Sequence, residues 1–243
     1  MTKLGIVDEI SSREFKEQKE LNKTDGRKRN VIRGIPKLDD ANKAGSSDSS
    51  RCTLCLTEGD SAKAFVISGL SVVGRDHWGV FPLRGKLLNV KEATVQQLLK
   101  NEEINNLKQI MGLEQNKKYN SLNELRYGSI MICTDADDDG FHIRGLLMNL
   151  FSTFWPELLK YKGFLRSLVT PVVKVSRRSE SLSFYNLYDY QDWKTQTGGG
   201  VGWTTKYYKG LGTSTAAEAR EYFRNLNKHN LKYNIDESSM ERL

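Results

Sequence analysis

Two stretches of sequence decide the fold: residues 129–140, SIMICTDADDDG, and residues 52–61, CTLCLTEGDS. Each starts with a short apolar run that favours β-structure, passes through an acidic turn, and continues into a sequence with helical periodicity. Short strands with few polar positions, each leading into a helix, are typical of a parallel sheet that helices cover on both faces. These stretches therefore predict an α/β fold with a parallel sheet flanked by helices.

The acidic side chains of these stretches come directly after the predicted strands. Glu58 ends the first strand, and Asp135 and Asp137 follow the second. In open α/β sheets, ligands bind in the crevice at the carboxyl ends of the strands. Asp135 and Asp137 are two positions apart, so in an extended chain their side chains point the same way. If the two strands are neighbours, these carboxylates converge on one place.

A cluster of carboxylates needs a compensating charge. Two ionised carboxylates about 4 Å apart repel each other by roughly 4 kcal/mol at an effective dielectric constant of about 20. Such groups must bind cations or keep protons, and a set of hard oxygen ligands suits Mg²⁺. The same cluster would repel a phosphodiester unless metal ions lay between them. The pattern therefore indicates metal-assisted phosphoryl chemistry.

The composition excludes several classes of protein. The 243 residues include 37 Lys and Arg against 30 Asp and Glu, a net charge of +7, and only three cysteines. Three cysteines cannot form a disulfide framework, and no apolar run approaches the roughly 18 residues of a membrane helix. We therefore expect a soluble, intracellular protein with no membrane partner. Its basic excess is consistent with a polyanionic partner.

The rest of the chain predicts further helices and strands. Helical patterns cover residues 1 to about 30, 62–67, 93–111, 142–159 and 216–226, and strand patterns cover 164–176 and 183–187. Trp155-Pro156 should end or kink the long helix, because proline removes a backbone donor. Residues 198–200, three glycines, are interpreted as a linker, since no strand-to-helix context surrounds them. A mixed α+β extension should therefore follow the α/β domain.

Other interpretations of the acidic run are weaker. Residues 135–140 match the first half of a calcium-binding EF-hand loop, but Leu146 stands where that loop requires Glu. A phosphatase of the haloacid dehalogenase type also has Asp-x-Asp after a buried strand, but this interpretation leaves Glu58 unused. A solvated acidic turn without function would explain residues 135–139 taken alone. It explains much less well why Glu58 ends a second strand of the same kind.

A zinc site is not expected at Cys52 and Cys55. Their spacing of three on a strand directs the two thiols to opposite faces, and no second pair of ligands follows. All three cysteines are therefore predicted to lie in the core.

Several motifs together resemble those of a known family. EGDSA at 58–62 and DADDDG at 135–140 resemble the TOPRIM domain shared by topoisomerases, certain primases and nucleases. PLRGKLLNV at 82–90 narrows the resemblance to type IIA DNA topoisomerases. VVGRD at 72–76 and KYYKGLGTS at 206–214 resemble the eukaryotic-type, ATP-hydrolysing branch, topoisomerase II. The likeness runs from about Ile35 to Leu226.

The resemblance implies a metal centre. Glu58, Asp135 and Asp137 would be the catalytic residues and the ligands of two Mg²⁺ ions, with Asp135 shared between them. Mn²⁺ or Ca²⁺ would be able to substitute. Asp139 is the fourth candidate ligand and would support the site through water or the loop backbone. Asp138 departs from the family pattern, which usually has His or Gln there, and adds a negative charge to the loop.

The resemblance also implies a DNA interface. The residues that match DNA-contacting positions, or lie beside them, are Arg84, Lys86, Asn89, His142 and Lys209. The residue chemistry agrees with this role. Arg84 and Lys86 flank a glycine that lets the backbone approach a phosphate closely, and basic groups beside a metal cluster complete an electrostatic clamp.

The family mechanism needs parts that we do not expect in these 243 residues. A tyrosine on a winged-helix domain attacks the DNA backbone, and an upstream domain binds ATP. Arg126-Tyr127 resembles the Arg-Tyr pair of the tyrosine site, but it precedes the second metal strand and is interpreted as core. Tyr207 and Tyr208 are interpreted as packing or DNA contacts. The chain would therefore be an excised fragment or one subunit of a split, dimeric enzyme, inactive alone.

These interpretations divide the chain into four parts. They are a charged leader at 1–34, the possible tail of the transducer region; an entry loop at 35–51; a TOPRIM domain at 52–166; and a strand-containing extension at 167–243 with the YKGLG motif, leading toward a winged-helix domain.

The predicted function is the metal-binding part of the DNA cleavage–religation centre of an ATP-dependent type II topoisomerase. Such an enzyme controls DNA topology by transient double-strand breakage. The alternative is a stand-alone TOPRIM-type nuclease or phosphatase that depends on metal. The expected location is the nucleus in a cellular eukaryote, and otherwise the cytoplasm or nucleoid.

Overall fold

A computed structural model describes residues 16–17 and 19–234 of the chain. The strands of its main sheet are β1 (Thr53–Glu58), β2 (Trp78–Leu83), β3 (Ser129–Cys133), β4 (Leu165–Leu168) and β8 (Asn230–Lys232). They are arranged in the order β2-β1-β3-β4-β8. The first four strands in this order are parallel, and β8 adds an antiparallel edge. The predicted parallel sheet is confirmed.

The two strands that precede the acidic turns, β1 and β3, lie side by side at the centre of this sheet. Their register pairs Thr57 with Cys133. Every residue of β3 is buried, and so is every residue of β1 except Glu58. Burial on both faces explains why the two runs contain so few polar residues. All three cysteines are free, buried thiols, as predicted.

The helices that connect the parallel strands of the main sheet are α1 (Gly59–Val73), α2 (Val95–Lys100), α3 (Glu102–Met111), α4 (Asp138–Phe154) and α5 (Pro156–Leu159). Three more follow β4 in the chain: α6 (Leu187–Gln196), α7 (Ala216–Arg224) and α8 (Leu226–His229). Helix α1 follows β1 through Gly59, whose φ of 77° lies in the left-handed region that glycine tolerates. Among the described residues, no helix has the length and apolar character needed to cross a bilayer.

Two predicted helices are divided in the structure. The helical region 93–111 is interrupted at Asn101, whose side chain accepts a hydrogen bond from the Ile104 amide (2.9 Å) and caps α3. The helix predicted for 142–159 begins earlier, at Asp138, and breaks at Trp155, just before Pro156. This break was expected, since proline cannot donate to the preceding turn.

The C-terminal extension contains a second, antiparallel sheet. Its strands are β5 (Val173–Arg177), β6 (Glu180–Phe184) and β7 (Thr204–Tyr207), in the order β6-β5-β7. The strand predicted for 164–176 is therefore two strands, β4 and β5, that belong to different sheets. The strand predicted for 183–187 ends at Phe184, because the Asn186 side chain accepts from the Asp189 amide (2.8 Å) and starts α6.

The entry segment is fastened to the main domain by a buried polar cluster. Arg126 is fully buried and its guanidinium lies 2.5 Å from the Asp40 carboxylate. The Tyr127 hydroxyl donates to the same carboxylate and accepts from the Ala41 amide (2.8 Å). The interpretation of Arg126-Tyr127 as core is confirmed.

The helix predicted for residues 1 to about 30 falls partly outside the described residues. Within them, residues 16–17 and 19–21 are helical and Asn22–Thr24 form a 3₁₀ helix, which agrees with the prediction. Residues 25–30 form no helix, so the prediction is wrong there. The backbone of this segment bonds to the domain instead: the Gly26 amide donates to the Leu113 carbonyl (2.7 Å), and Arg126 donates to the Arg29 carbonyl (2.6 Å). These tertiary bonds replace the intrahelical ones.

Candidate functional site

The predicted acidic residues lie at one edge of the main sheet. Glu58 is the last residue of β1, and Asp135 follows β3 by two positions. Since β1 and β3 are parallel neighbours, their carboxyl ends meet at this edge, as the sequence indicates. The fold therefore brings Glu58 beside the 135–139 turn.

Glu58 is held in an environment that disfavours its charge. One carboxyl oxygen, Oε2, is buried and has no hydrogen-bond partner among the described residues. Burial raises the pKa of Glu58, and the charges of Asp135 and Asp137 raise it further, while the Asp135 amide has an opposing effect. The carboxylates are thus close enough to repel one another. A cation at this position would relieve that repulsion.

The Asp135 and Asp137 carboxylates each accept a backbone hydrogen bond. Asp135 Oδ1 accepts from the Leu211 amide (2.7 Å), which belongs to the loop after β7. Asp137 Oδ1 accepts from the Gly140 amide (2.8 Å) and so caps the N-terminus of α4. One oxygen of each carboxylate is occupied in this way, and each keeps lone pairs for another ligand.

Asp139 is paired with a candidate DNA-contacting residue. Its Oδ1 lies 2.9 Å from Nζ of Lys86. The hydrogen bond from Lys86 lowers the pKa of Asp139, and the same bond raises the pKa of Lys86. Both side chains are exposed, so this is a surface ion pair that a competing phosphate can exchange. The neighbouring Asp138 is exposed in the first turn of α4, where the helix dipole favours an acidic residue.

The side chains at this edge have the right chemistry for a divalent metal, but they are not yet arranged around one position. Carboxylate oxygens are the ligands that Mg²⁺ prefers, and the unpartnered oxygen of Glu58 is a buried acceptor in need of a positive group. In the part of the chain that the structure describes, no three or more His, Cys, Asp or Glu side chains are already arranged to hold an ion. A bound ion would therefore require carboxylate side chains to turn toward it.

The other predicted DNA-contacting residues flank this edge. Arg84 comes directly after β2 and pairs with Glu102 (2.8 Å). Asn89 accepts from the Asn149 side chain (2.6 Å), which ties the 84–90 loop to α4. His142 is exposed on the second turn of α4, and Lys209 is exposed in the loop that carries Leu211.

Two supporting residues, Arg144 and Leu211, were not predicted from the sequence. The Arg144 guanidinium donates to the Asp135 carbonyl (3.3 Å) and to the Thr134 hydroxyl (3.0 Å). Leu211 contributes only its backbone amide to Asp135. The YKGLG motif marks the region of Leu211, but a backbone donor leaves no residue-type signal.

Two family models match most of this chain. Residues 53–168 match the Toprim domain, and residues 168–243 match the C-terminal associated domain of TOPRIM. A Toprim domain implies dependence on a divalent metal in general.

The relatives are type II topoisomerases. The chain is 53% identical to DNA topoisomerase 2 of Drosophila melanogaster over 98% of this chain and 17% of that protein. It is 53% identical to DNA topoisomerase 2-alpha of Homo sapiens over 94% of this chain and 15% of that protein. The chain thus spans less than a fifth of these relatives.

A solved structure agrees with the fold. The topoisomerase II DNA-binding, cleavage and re-ligation domain of Plasmodium falciparum is 55% identical, with a TM-score of 0.81. The match covers 84% of this chain and 28% of that one. On these matches and the two acidic turns, the chain belongs to the eukaryotic-type type IIA DNA topoisomerase family, of which it represents the TOPRIM region.

Proposed function

We propose that this chain is the metal-binding part of the DNA cleavage–religation centre of an ATP-dependent type II DNA topoisomerase. The observation that carries the proposal is the meeting of Glu58 with Asp135 and Asp137 at the carboxyl ends of two adjacent strands. This placement gathers carboxylate oxygens, the ligands that Mg²⁺ prefers, at one sheet edge. The membership of the chain in a topoisomerase family supports DNA as the substrate.

In this proposal Glu58, Asp135 and Asp137 hold two Mg²⁺ ions, and Asp139 supports the site from the same turn. Mn²⁺ or Ca²⁺ would occupy the same ligands. When bound, the ions would stabilise the leaving oxygen and orient the scissile phosphate. The protein would contribute by holding three carboxylates together at one sheet edge and by placing basic groups around them.

The basic residues position the DNA backbone. Lys86 would exchange its contact with Asp139 for a phosphate oxygen, and Arg84 would do the same with its contact to Glu102. Asn89, His142 and Lys209 would contact the backbone from the neighbouring loop, α4 and the YKGLG loop. Exposed pairs of this kind cost little to break, so DNA would displace them readily.

The nucleophile of the cleavage step would come from another domain. We infer that a winged-helix domain supplies the tyrosine, an ATP-binding domain drives strand passage, and the holoenzyme is a dimer that controls DNA topology through transient double-strand breaks. Two tyrosines singled out in the sequence are already engaged elsewhere, which supports this inference. Tyr208 donates to Glu218 (2.5 Å), and Tyr127 is buried before β3, at the opposite end of that strand from Asp135. Burial and the Glu218 contact raise the pKa of Tyr208, which disfavours the phenolate form that would attack DNA.

The test is DNA cleavage with Mg²⁺, by this chain alone and by the chain supplied with a tyrosine-bearing winged-helix domain. The proposal predicts no hydrolysis by the chain alone and a covalent protein–DNA link with the partner. Asp135→Asn should abolish the link, whereas Asp138→Asn, a neighbouring carboxylate outside the ligand set, should leave most of it. Metal-dependent hydrolysis by the chain alone would instead identify a nuclease.

A further inference from the structure

A loop of the C-terminal extension reaches across to the Asp135 side chain. The Leu211 amide donates to Asp135 Oδ1 at 2.7 Å, between residues 76 positions apart in sequence. Leu211 begins a short 3₁₀ helix, Leu211–Thr213, that directly follows the YKG part of the motif. The extension therefore contacts the acidic turn with its backbone.

Gly210 is needed for this contact for a reason of space. Its φ of −178° and ψ of 177° are extended backbone that any residue can adopt. A Cβ at this position, however, would lie 2.0 Å from Asp135 Oδ2 and 2.7 Å from Oδ1. The carboxylate lies against the Gly210 backbone, and only glycine leaves room for it there.

The backbone of Asp135 is held separately from its side chain. Arg144 donates to the Asp135 carbonyl (3.3 Å), and α4 approaches so closely that a Cβ on Gly140 would lie 2.1 Å from the same oxygen. These contacts come from α4 and hold the main chain. The direction of the carboxylate is left to the Gly210–Leu211 loop.

The loop itself is anchored well enough to orient a side chain. Leu211 is 2% exposed and packs in a core cluster with residues of α1, β1 and α7. The Thr213 hydroxyl donates to the Gly210 carbonyl (2.7 Å), and the Tyr208 amide donates to the Val172 carbonyl (2.9 Å). A donor fixed at both ends of its loop loses little entropy in holding a carboxylate.

We propose that Gly210 and Leu211 form a backbone clasp that positions Asp135 for metal binding, so that the extension sets the metal affinity of the TOPRIM domain. This inference rests on the proposed function. Gly210 and Leu211 are positioning residues that act through Asp135. Hydrogen bonds to ligating groups typically change metal affinity by roughly 10- to 100-fold when removed, and we expect a loss in that range.

A matched pair of variants isolates the amide. Leu211→Pro and Leu211→Ala both remove the buried side chain, but only proline removes the N–H. Proline is tolerated at the first position of a helix, and the extended Gly210 suits a residue before proline. Mn²⁺ affinity of the 243-residue chain, measured by calorimetry, should fall roughly 10- to 100-fold further in Leu211→Pro than in Leu211→Ala.

A second pair tests the space at Gly210. Gly210→Ala should displace the carboxylate and weaken Mn²⁺ binding while the fold is retained, because the group it meets is the end of a movable side chain. Gly145→Ala is the control, since a Cβ there meets no atom within 4 Å. Without metal, amide exchange at Leu211 should be slow, and faster in Asp135→Ala but not in Asp139→Ala.

The outcomes separate the clasp from the metal site itself. The proposed metal site stands if the unaltered chain binds Mn²⁺ and Asp135→Asn abolishes the binding. The clasp is nevertheless wrong if Leu211→Pro binds Mn²⁺ as tightly as Leu211→Ala, and Gly210→Ala as tightly as Gly145→Ala. If the unaltered chain binds no Mn²⁺, the proposed metal site fails. Slow Leu211 exchange that is insensitive to Asp135→Ala would also overturn the clasp.

Discussion

Asp137 has two tasks that its side chain can perform together. One oxygen caps α4 through the Gly140 amide, and the charge of the carboxylate raises the pKa of Glu58. Asparagine is as good an N-cap as aspartate but carries no charge. This difference allows the structural and the metal-binding contributions of Asp137 to be separated.

Asp137→Asn should abolish DNA cleavage by the reconstituted enzyme while the metal-free chain becomes slightly more stable, because repulsion with Glu58 is relieved. Asp137→Ala should also abolish cleavage but should lower the free energy of unfolding by about 1 kcal/mol through loss of the cap. Thermal or urea unfolding of both variants checks the stabilities. Cleavage that survives in Asp137→Asn would remove this residue from the ligand set.

Lys86→Ala tests the proposed DNA contact through its salt dependence. If Lys86 neutralises one phosphate, the slope of log affinity against log salt should become shallower by about one. Fluorescence anisotropy with a duplex, over a range of salt concentrations, gives this slope. Lys228→Ala, an exposed lysine on α8, is the control. Equal slopes for the two variants would place Lys86 away from the DNA.

The sequence predicts the meeting of Glu58 with Asp135, because both residues end apolar strands and parallel neighbours share an edge. It does not predict the contact of Asp135 with Leu211. That contact depends on how a loop from a separate sheet packs back onto α1, and a backbone amide has no sequence signature. For the same reason the motif singles out Lys209, whereas the close approach of Gly210 to Asp135 has no sequence signature.

Among the structural elements, α7 is fixed to the second sheet by one carboxylate. Glu218 accepts from Lys206 on β7 (2.8 Å) and from the Tyr208 hydroxyl (2.5 Å), and forms a capping box with Thr215. Burial alone would raise the pKa of Glu218, but the hydrogen bonds from Lys206, Tyr208 and Thr215 outweigh it and lower the pKa to about 2.

The stabilisation from Glu218 should therefore depend on pH. Its ionised form is favoured in the folded state, so the stabilisation is complete above pH 4.5, the ordinary pKa, and is lost as pH falls toward about 2. Glu218→Gln keeps the capping box but should lower stability at pH 7 by about 1 kcal/mol, because Lys206 is partly exposed.

Urea unfolding of Glu218→Gln and the unaltered chain at several pH values checks this dependence. The two curves should approach each other near pH 2. Glu221→Gln, an exposed carboxylate on the same helix, serves as the control and should change little. If the difference in free energy of unfolding stays constant from pH 7 to pH 2, the lowered pKa of Glu218 is not the source of the stabilisation.

Helices and strands are predictable from sequence where local residues determine their ends. The break before Pro156 was predicted because proline acts on its own turn. The start of α6 was missed, although Asn186 and Asp189 form a recognisable capping pattern. Strand β8 is only three residues long, and its pairing with β4 depends on the whole fold. No local pattern indicates such a strand.

For the whole molecule, the entry segment and the main domain are joined through the charge on Arg126. This guanidinium is fully buried and Asp40 is its acidic partner. Asp40→Asn should lower the free energy of unfolding by about 3 kcal/mol, because it leaves a buried charge uncompensated. Chemical denaturation measures the change. Asp48→Asn, which affects an exposed pair with Lys43, should have a much smaller effect. Similar losses for both would contradict the role of Asp40.

The proposed function requires one divalent-metal site that is shared by two strand ends. Anomalous diffraction from crystals of the chain grown with duplex DNA and Mn²⁺ locates such an ion directly. We expect a peak about 2 Å from carboxylate oxygens of both Glu58 and the 135–137 turn. A peak that contacts only one of the two strand ends, or none at this edge of the sheet, would contradict it.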